Sequence, residues 1–198
     1  MTDCRKWQDQ GIDVDIAVNV STLNIQDDEF VKHLNKMILE HRINPGKIQL
    51  EITESIIMAD TSRALKTISA LDSMGVRISI DDFGTGYSSL AYIKKIPVNE
   101  LKIDKSFVME MEQDESDAAI VKSTIDLAHN LGLKVTAEGV ETESALSLLD
   151  TLGCDSAQGF HICRPVPAEK MVSWLPEWQE KNYSHVNIHD EDSLEQSA

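Results

Sequence analysis

Short runs rich in β-branched residues alternate with amphipathic stretches of helical period along this chain, and that alternation narrows the fold more than any other feature. Six strands are predicted: Asp15 to Ser21, Lys47 to Thr53, Val76 to Asp82, Glu100 to Lys105, Lys134 to Val140 and Ser156 to Ile162. Asp28 to Arg42 carries Phe30, Val31, Leu34, Met37 and Ile38 at the spacing of one helix face, and Thr61 to Met74, Asp117 to Leu131 and Thr142 to Leu152 repeat the pattern. Gly75, Gly132 and Gly153 follow three of these helices as C-terminal caps, and Pro167 stands where a last helix would start. Repeated strand–helix units imply a parallel sheet with helical crossovers.

The strands themselves choose between an open sheet and a barrel. Central strands of an open doubly wound sheet read as continuous apolar runs. Here they alternate: Ile48, Leu50 and Ile52 oppose Gln49, Glu51 and Thr53; Ile78 and Ile80 oppose Ser79 and Asp81; Leu101 and Ile103 oppose Lys102 and Asp104. One face packs on helices, while the other is small and polar and ends in charge. That pattern predicts an α/β fold of the TIM-type (β/α)8 barrel class, with an active site at the C-terminal strand ends. Only about six of the eight strands are present, and Arg5 to Gln10 reads as the end of a helix. No GxGxxG follows the first strand, which argues against a dinucleotide-binding unit.

Charge excludes several functions. A net charge of −16 repels polynucleotides and anionic lipid, so bulk nucleic acid is not an expected partner. Three cysteines with no CxxC pair point to a reducing compartment. No apolar run reaches membrane-spanning length and the first residues carry no signal-peptide core, so this segment is expected in the cytoplasm. Residues 1–178 read as one domain, and the acidic stretch 179–198 as a flexible tail.

Asn19, Glu51, Asp81 with Asp82, Lys102 with Asp104, Glu138 and Gln158 end the inward faces of six strands. Taken singly, an Asn or Glu at a strand end is usually a cap or surface group. Two acids closing the apolar run Ile78-Ser79-Ile80 are sharper, since they cost stability unless used. Together the carboxylates repel one another unless divalent cations sit among them. An all-oxygen set selects Mg²⁺, Mn²⁺ or Ca²⁺. Two metals and a lysine suit in-line displacement at phosphorus. Asp82-Phe83-Gly84 resembles a kinase DFG, but no HRD segment or glycine-rich loop accompanies it. The histidines have no ligand spacing.

Asn19-Val20-Ser21, Glu51-Ile52-Thr53-Glu54, the run Asp81 to Ser89, Lys102-Ile103-Asp104, Ala137 to Glu141 and Gln158-Gly159 resemble, in order, the motifs of EAL domains, a family of metal-dependent cyclic di-GMP phosphodiesterases. The likeness covers about residues 5 to 175. It implies a (β/α)8-type barrel, hydrolysis of cyclic di-GMP to linear pGpG, and a two-metal Mg²⁺ or Mn²⁺ site. Asn19, Glu51 and Asp81 would hold one metal, and Asp81 would bridge to a second with Asp82 and Glu138. Lys102 would sit beside the attacking water or phosphate, with Asp104 supporting it. Gln158 and Glu141 would complete the rim, and Glu54 would anchor the loop from Phe83 to Ser89. A homodimer is implied for the complete domain. The family's Glu-Ala-Leu motif, with its metal-binding glutamate, does not occur here. An upstream domain or a missing N-terminal part is therefore expected. The alternatives are a catalytically inactive remnant that binds cyclic di-GMP or a partner protein, and a metal phosphodiesterase for another nucleotide.

Overall fold

In the computed structural model, residues 1–85 and 93–183 are described. Residues 1–164 form one compact unit and 165–198 a second. The first unit is built on six strands, β1 (Ile16–Asn19), β2 (Ile48–Thr53), β3 (Arg77–Phe83), β4 (Glu100–Ile103), β5 (Lys134–Glu138) and β6 (Ser156–Gln158). They run parallel in the order of the sequence and curl into part of a barrel, with β1 and β6 as its edges. This is the α/β, TIM-like arrangement that the alternation predicts.

Among the described residues the helices of this unit include α1 (Thr2–Asp9), α2 (Thr22–Gln26), α3 (Phe30–His41), α4 (Glu54–Ala59), α5 (Thr61–Ser73), α6 (Lys105–Glu110), α7 (Glu115–Asn130) and α8 (Glu143–Thr151). Side chains fix several of their starts. Asp60 accepts from the Arg63 amide, Asp104 from that of Ser106, Asp114 from that of Ser116 and Thr142 from that of Ala145, each satisfying an otherwise unpaired first-turn donor. In the second unit α9 spans Ala168–Tyr183, past the 178/179 boundary expected from sequence, and Trp174 and Trp178 stack one turn apart. Residues 184–198 of the expected tail lie outside the described residues.

The apolar core lies between sheet and helices. Ile52, Ile78, Leu101, Ile103 and Val135 are at most 0 % exposed, and they pack with Ile68, Leu71, Val121 and Leu149 from the helices in one cluster. Each such side chain contributes about 1.5–3 kcal/mol through burial. The inner face is different. Gln49, Glu51, Ser79, Glu100, Lys102 and Thr136 are all buried there although all are polar. A (β/α)8 barrel is usually filled with Val, Ile and Leu.

Several strands end earlier than the β-pattern suggests, each for a local reason. β1 stops at Asn19 because Ser21 enters a reciprocal cap with Asn24 at the start of α2. β6 stops at Gln158 instead of reaching Ile162, because the Ile162 and Cys163 amides both turn back to the Gly159 carbonyl at 3.1 and 3.2 Å. Of Arg5 to Gln10, read as the end of a helix, Arg5 to Asp9 belong to α1, which begins at Thr2 after Met1 as its cap, and Gln10 caps its C-terminus.

Candidate active site

One irregularity assembles the site. Between β3 and β4 the register shifts: Ile80 pairs with Leu101, but Phe83 pairs with Ile103. Asp81 and Asp82 thus face the single residue Lys102, which is a β-bulge. Strict alternation would send consecutive residues to opposite faces. Here Asp82 takes φ +54, the left-handed region that Asp tolerates better than most residues. Asp81, Asp82 and Glu138 then offer carboxylate oxygens within 4.8 Å of one another. Phe83 falls into the buried apolar cluster.

Lys102 is the hub. Its Nζ lies 2.6 Å from Glu51 Oε1, 2.5 Å from Glu138 Oε1 and 3.2 Å from Asp81 Oδ1. These partners come from β2, β5 and β3, so four neighbouring strands meet at one ammonium. Burial alone would lower the Lys102 pKa, but the bonds to Glu138 and Glu51 outweigh it and hold the group above its ordinary value. Burial pushes the Glu138 carboxyl up, against the pull of Lys102, with Asp81 and Glu51 adding to the rise. Asp82 is raised by burial and by the charges of Asp81 and Asp104.

Asp104 does not pair with Lys102, as the sequence pattern suggested. It follows the last residue of β4 and its carboxylate is captured by the first turn of α6, accepting from the Ser106 amide at 2.9 Å and from the Ser106 hydroxyl. Burial raises its pKa less than the bonds from Ser106 and Asp82 lower it. Its charge raises the neighbouring Asp82 carboxyl, and that is its link to the site.

The other expected residues fall around this hub. Asn19 ends β1 in register with Glu51, and Gln158 ends β6 in register with Glu138. Both are exposed, as is Glu141. Glycines follow Glu138 and Gln158 for steric reasons. Gly139 sits at φ +73, and a Cβ there would lie 2.5 Å from that of Lys105. A Cβ on Gly159 would overlap the Val140 backbone, whose amide bonds to the Gln158 carbonyl at 3.0 Å. Glu54 opens α4 with 6 % exposure, and neither carboxylate oxygen has a hydrogen-bond partner among the described residues. It borders a cavity of about 530 Å³ shared with Thr53, Asp82 and Thr85. Of the loop it was expected to anchor, residues 86–89 lie outside the described residues.

The site fits a hard divalent cation. Its donors are all oxygen, the acidic trio has ligand spacing, and four carboxylates face one lysine. Asp81 Oδ1 adds a specific sign: it is buried and lacks a hydrogen bond, since its 3.2 Å approach to Lys102 is not aligned for one.

A second polar layer lies below, at the N-terminal strand ends, and was not anticipated. Thr136 donates to Glu100 at 2.7 Å, Arg77 lies 3.8 Å from Glu100 and 2.5 Å from Asp15, and Lys47 pairs with Asp15 and Asp13 at 3.2 and 2.9 Å. The signal was present in the parity of the strands. Gln49, Arg77, Glu100 and Thr136 each stand two or four residues before Glu51, Asp81, Lys102 and Glu138 on the same face.

The family model described as EAL domain matches residues 1–165. The bifunctional diguanylate cyclase/cyclic di-GMP phosphodiesterase MucR of Pseudomonas aeruginosa is 47% identical over 85% of this chain, and the signaling protein YkoW of Bacillus subtilis 38% over 87%. The chain spans only 25% and 22% of those two proteins. Among solved structures, a PaMucR phosphodiesterase in complex with c-di-GMP superposes with a TM-score of 0.82 at 47% identity, covering 85% of this chain and 69% of that one. The EAL domain of Mycobacterium smegmatis DcpA gives 0.84 at 38% identity, covering 88% and 79%.

Proposed function

The chain belongs to the EAL domain family, and on that footing we propose that it carries out metal-dependent hydrolysis of cyclic di-GMP to linear pGpG. The bulge that turns Asp81 and Asp82 together toward Glu138 supports this reading most directly, because it gathers three carboxylates at ligand spacing at the cost of regular pairing. The solved relative named as a c-di-GMP complex supports the choice of substrate.

Asn19, Glu51 and Asp81 would hold one Mg²⁺ or Mn²⁺, and Asp81, Asp82 and Glu138 a second. Bound there, the cations supply Lewis-acid chemistry at the phosphoryl group. Water attacks phosphorus and the ribose 3′ oxygen leaves. Asp82 and Glu138 stand where a proton from that water can be taken, and Lys102 offers its ammonium to charge that develops on the phosphoryl oxygens. Asp104 acts on Asp82 through its charge, which raises the Asp82 carboxyl. Gln158 and Glu141 would complete the rim, and Glu54 would anchor the loop after Phe83. We place this chemistry in the cytoplasm, with a homodimer as the assembly of the complete domain. Among the described residues no helix is long and apolar enough to cross a membrane.

The test is to incubate the protein with cyclic di-GMP and Mn²⁺ and separate the products by chromatography. Formation of pGpG that disappears in Asp81→Asn is the expected result. Tight binding of the dinucleotide without pGpG would replace the enzyme by a binding module.

A further inference from the structure

The carboxylates assigned above to the cations are already engaged. Lys102 is 3 % exposed, and its Nζ sits within 3.2 Å of Glu51, Asp81 and Glu138 at once. An ammonium has three donors. Two of them are committed to Glu51 Oε1 and Glu138 Oε1, while the third side of the group is pressed against Asp81 Oδ1 without forming a bond. A dication coordinated by Asp81, Asp82 and Glu138 would share Glu138 and Asp81 with this ammonium. It would bring two further positive charges to within a few ångströms of Nζ, where reduced dielectric makes like-charge repulsion large. Only the carboxylates can relieve that repulsion locally, since the lysine reaches little solvent.

We infer that Lys102 is an internal counter-cation: it pairs with the metal-binding carboxylates of Glu51, Asp81 and Glu138, competes with a divalent cation for them, and must yield them when one enters. This rests on the metal-site reading above. Two consequences follow. The lysine stabilises the metal-free fold, because without it three carboxylates would face one another across β2, β3 and β5. It also weakens metal affinity, because part of each binding event is spent breaking its ion pairs. Once released, the same ammonium is free to turn toward a phosphate, so loading the site and arming the lysine become one event. The contrary view is that Lys102 merely neutralises excess charge and assists metal binding. The two views predict opposite signs.

The experiment measures Mn²⁺ binding by titration calorimetry, without substrate, in wild type, Lys102→Met and Asp81→Asn. The methionine keeps the length of the stem and removes the charge. Lys102→Met is expected to melt several degrees lower than wild type without metal and to bind Mn²⁺ about tenfold more tightly or better. Unchanged or weaker binding by Lys102→Met, with Asp81→Asn reduced as expected, would overturn the counter-cation role and leave the metal site standing. No binding in wild type would overturn the metal site itself. If Lys102→Met does not fold, the wild type decides: its buried ¹⁵Nζ resonance should shift as Mg²⁺ saturates the site. A resonance that stays fixed at saturation would show that the lysine never lets go.

Discussion

The inner face of the sheet carries two polar layers that solve the same problem in different ways. At the foot, near the N-terminal strand ends, opposite charges are nearly balanced: Glu100 is met by Thr136 and Arg77, and Asp15 by Arg77 and Lys47. At the mouth, Glu51, Asp81 and Glu138 share one lysine with Asp82 beside them, and a buried oxygen of Asp81 is left without a hydrogen bond. A polar layer whose charges are paired with opposite charges holds strands together. One with surplus negative charge and an unsatisfied oxygen is destabilising by itself, and it makes sense as a receptor for something positive. The foot therefore reads as structure and the mouth as chemistry.

The largest effect separating the two should come from Asp81→Asn. Turnover of cyclic di-GMP should fall roughly 10²–10³-fold. The rise in melting temperature that Mn²⁺ gives the wild type should be mostly lost. The metal-free protein should be no less stable, because one repelling charge has gone. Equal Mn²⁺ shifts in mutant and wild type, read by calorimetric scan, would remove Asp81 from the site.

Glu100→Ala should do the reverse. It deletes the acceptor of Thr136 and one partner of Arg77 inside a buried layer. Urea unfolding should show a loss of about 2–3 kcal/mol, while the Mn²⁺-induced shift stays at its wild-type size. A diminished metal shift in Glu100→Ala would mean that the layers are coupled and the contrast is wrong.

The smallest effect belongs to Asp155, at the entry to β6. It accepts from the Val135 amide at 2.8 Å and pairs with His129 at 2.9 Å, tying β5 and α7 together. Burial raises its pKa, but the His129 and Val135 bonds outweigh it and leave the carboxyl below its ordinary value. A carboxyl depressed in the folded state adds stability above its unfolded pKa, and that stability is lost as pH falls through the folded pKa. Asp155→Asn should therefore cost about 1 kcal/mol at neutral pH. The gap to wild type should begin to narrow as the pH drops below about 4 and close once it passes below the depressed folded pKa. Unfolding curves at pH 7 and pH 3 check the sign, and a gap that widens in acid would refute it.

Much of this could be read from the sequence because strand alternation is a local signal. Ile48-Gln49-Leu50-Glu51 and Leu101-Lys102-Ile103 state which side faces the helices, and the acids that end them mark the mouth. What could not be read depends on contacts between distant segments. Nothing in the run Ile80 to Phe83 declares that two residues there will oppose one across the gap to β4. Asp104 looked like the neighbour of Lys102 because they are two apart in sequence, yet the chain turns at the helix cap and Ser106 takes it instead. Foot residues such as Arg77 and Glu100 escaped notice because a charge at a strand entrance is usually solvated surface. Their pairing depends on strand register, which only the fold sets.

The bulge in β3 also bears on how the gene can change length. Deleting the codon for Asp82 would let Asp81 oppose Lys102 and Phe83 oppose Ile103 in an unbroken ladder, and it would remove an aspartate held at positive φ. By the rules of sheet pairing the shortened protein should fold at least as readily as the original. It would emerge well formed and yet with its trio of acids reduced to a pair. A frame-preserving loss of three nucleotides at this point would thus separate the ability to fold from the ability to act, and no screen for soluble protein would notice it.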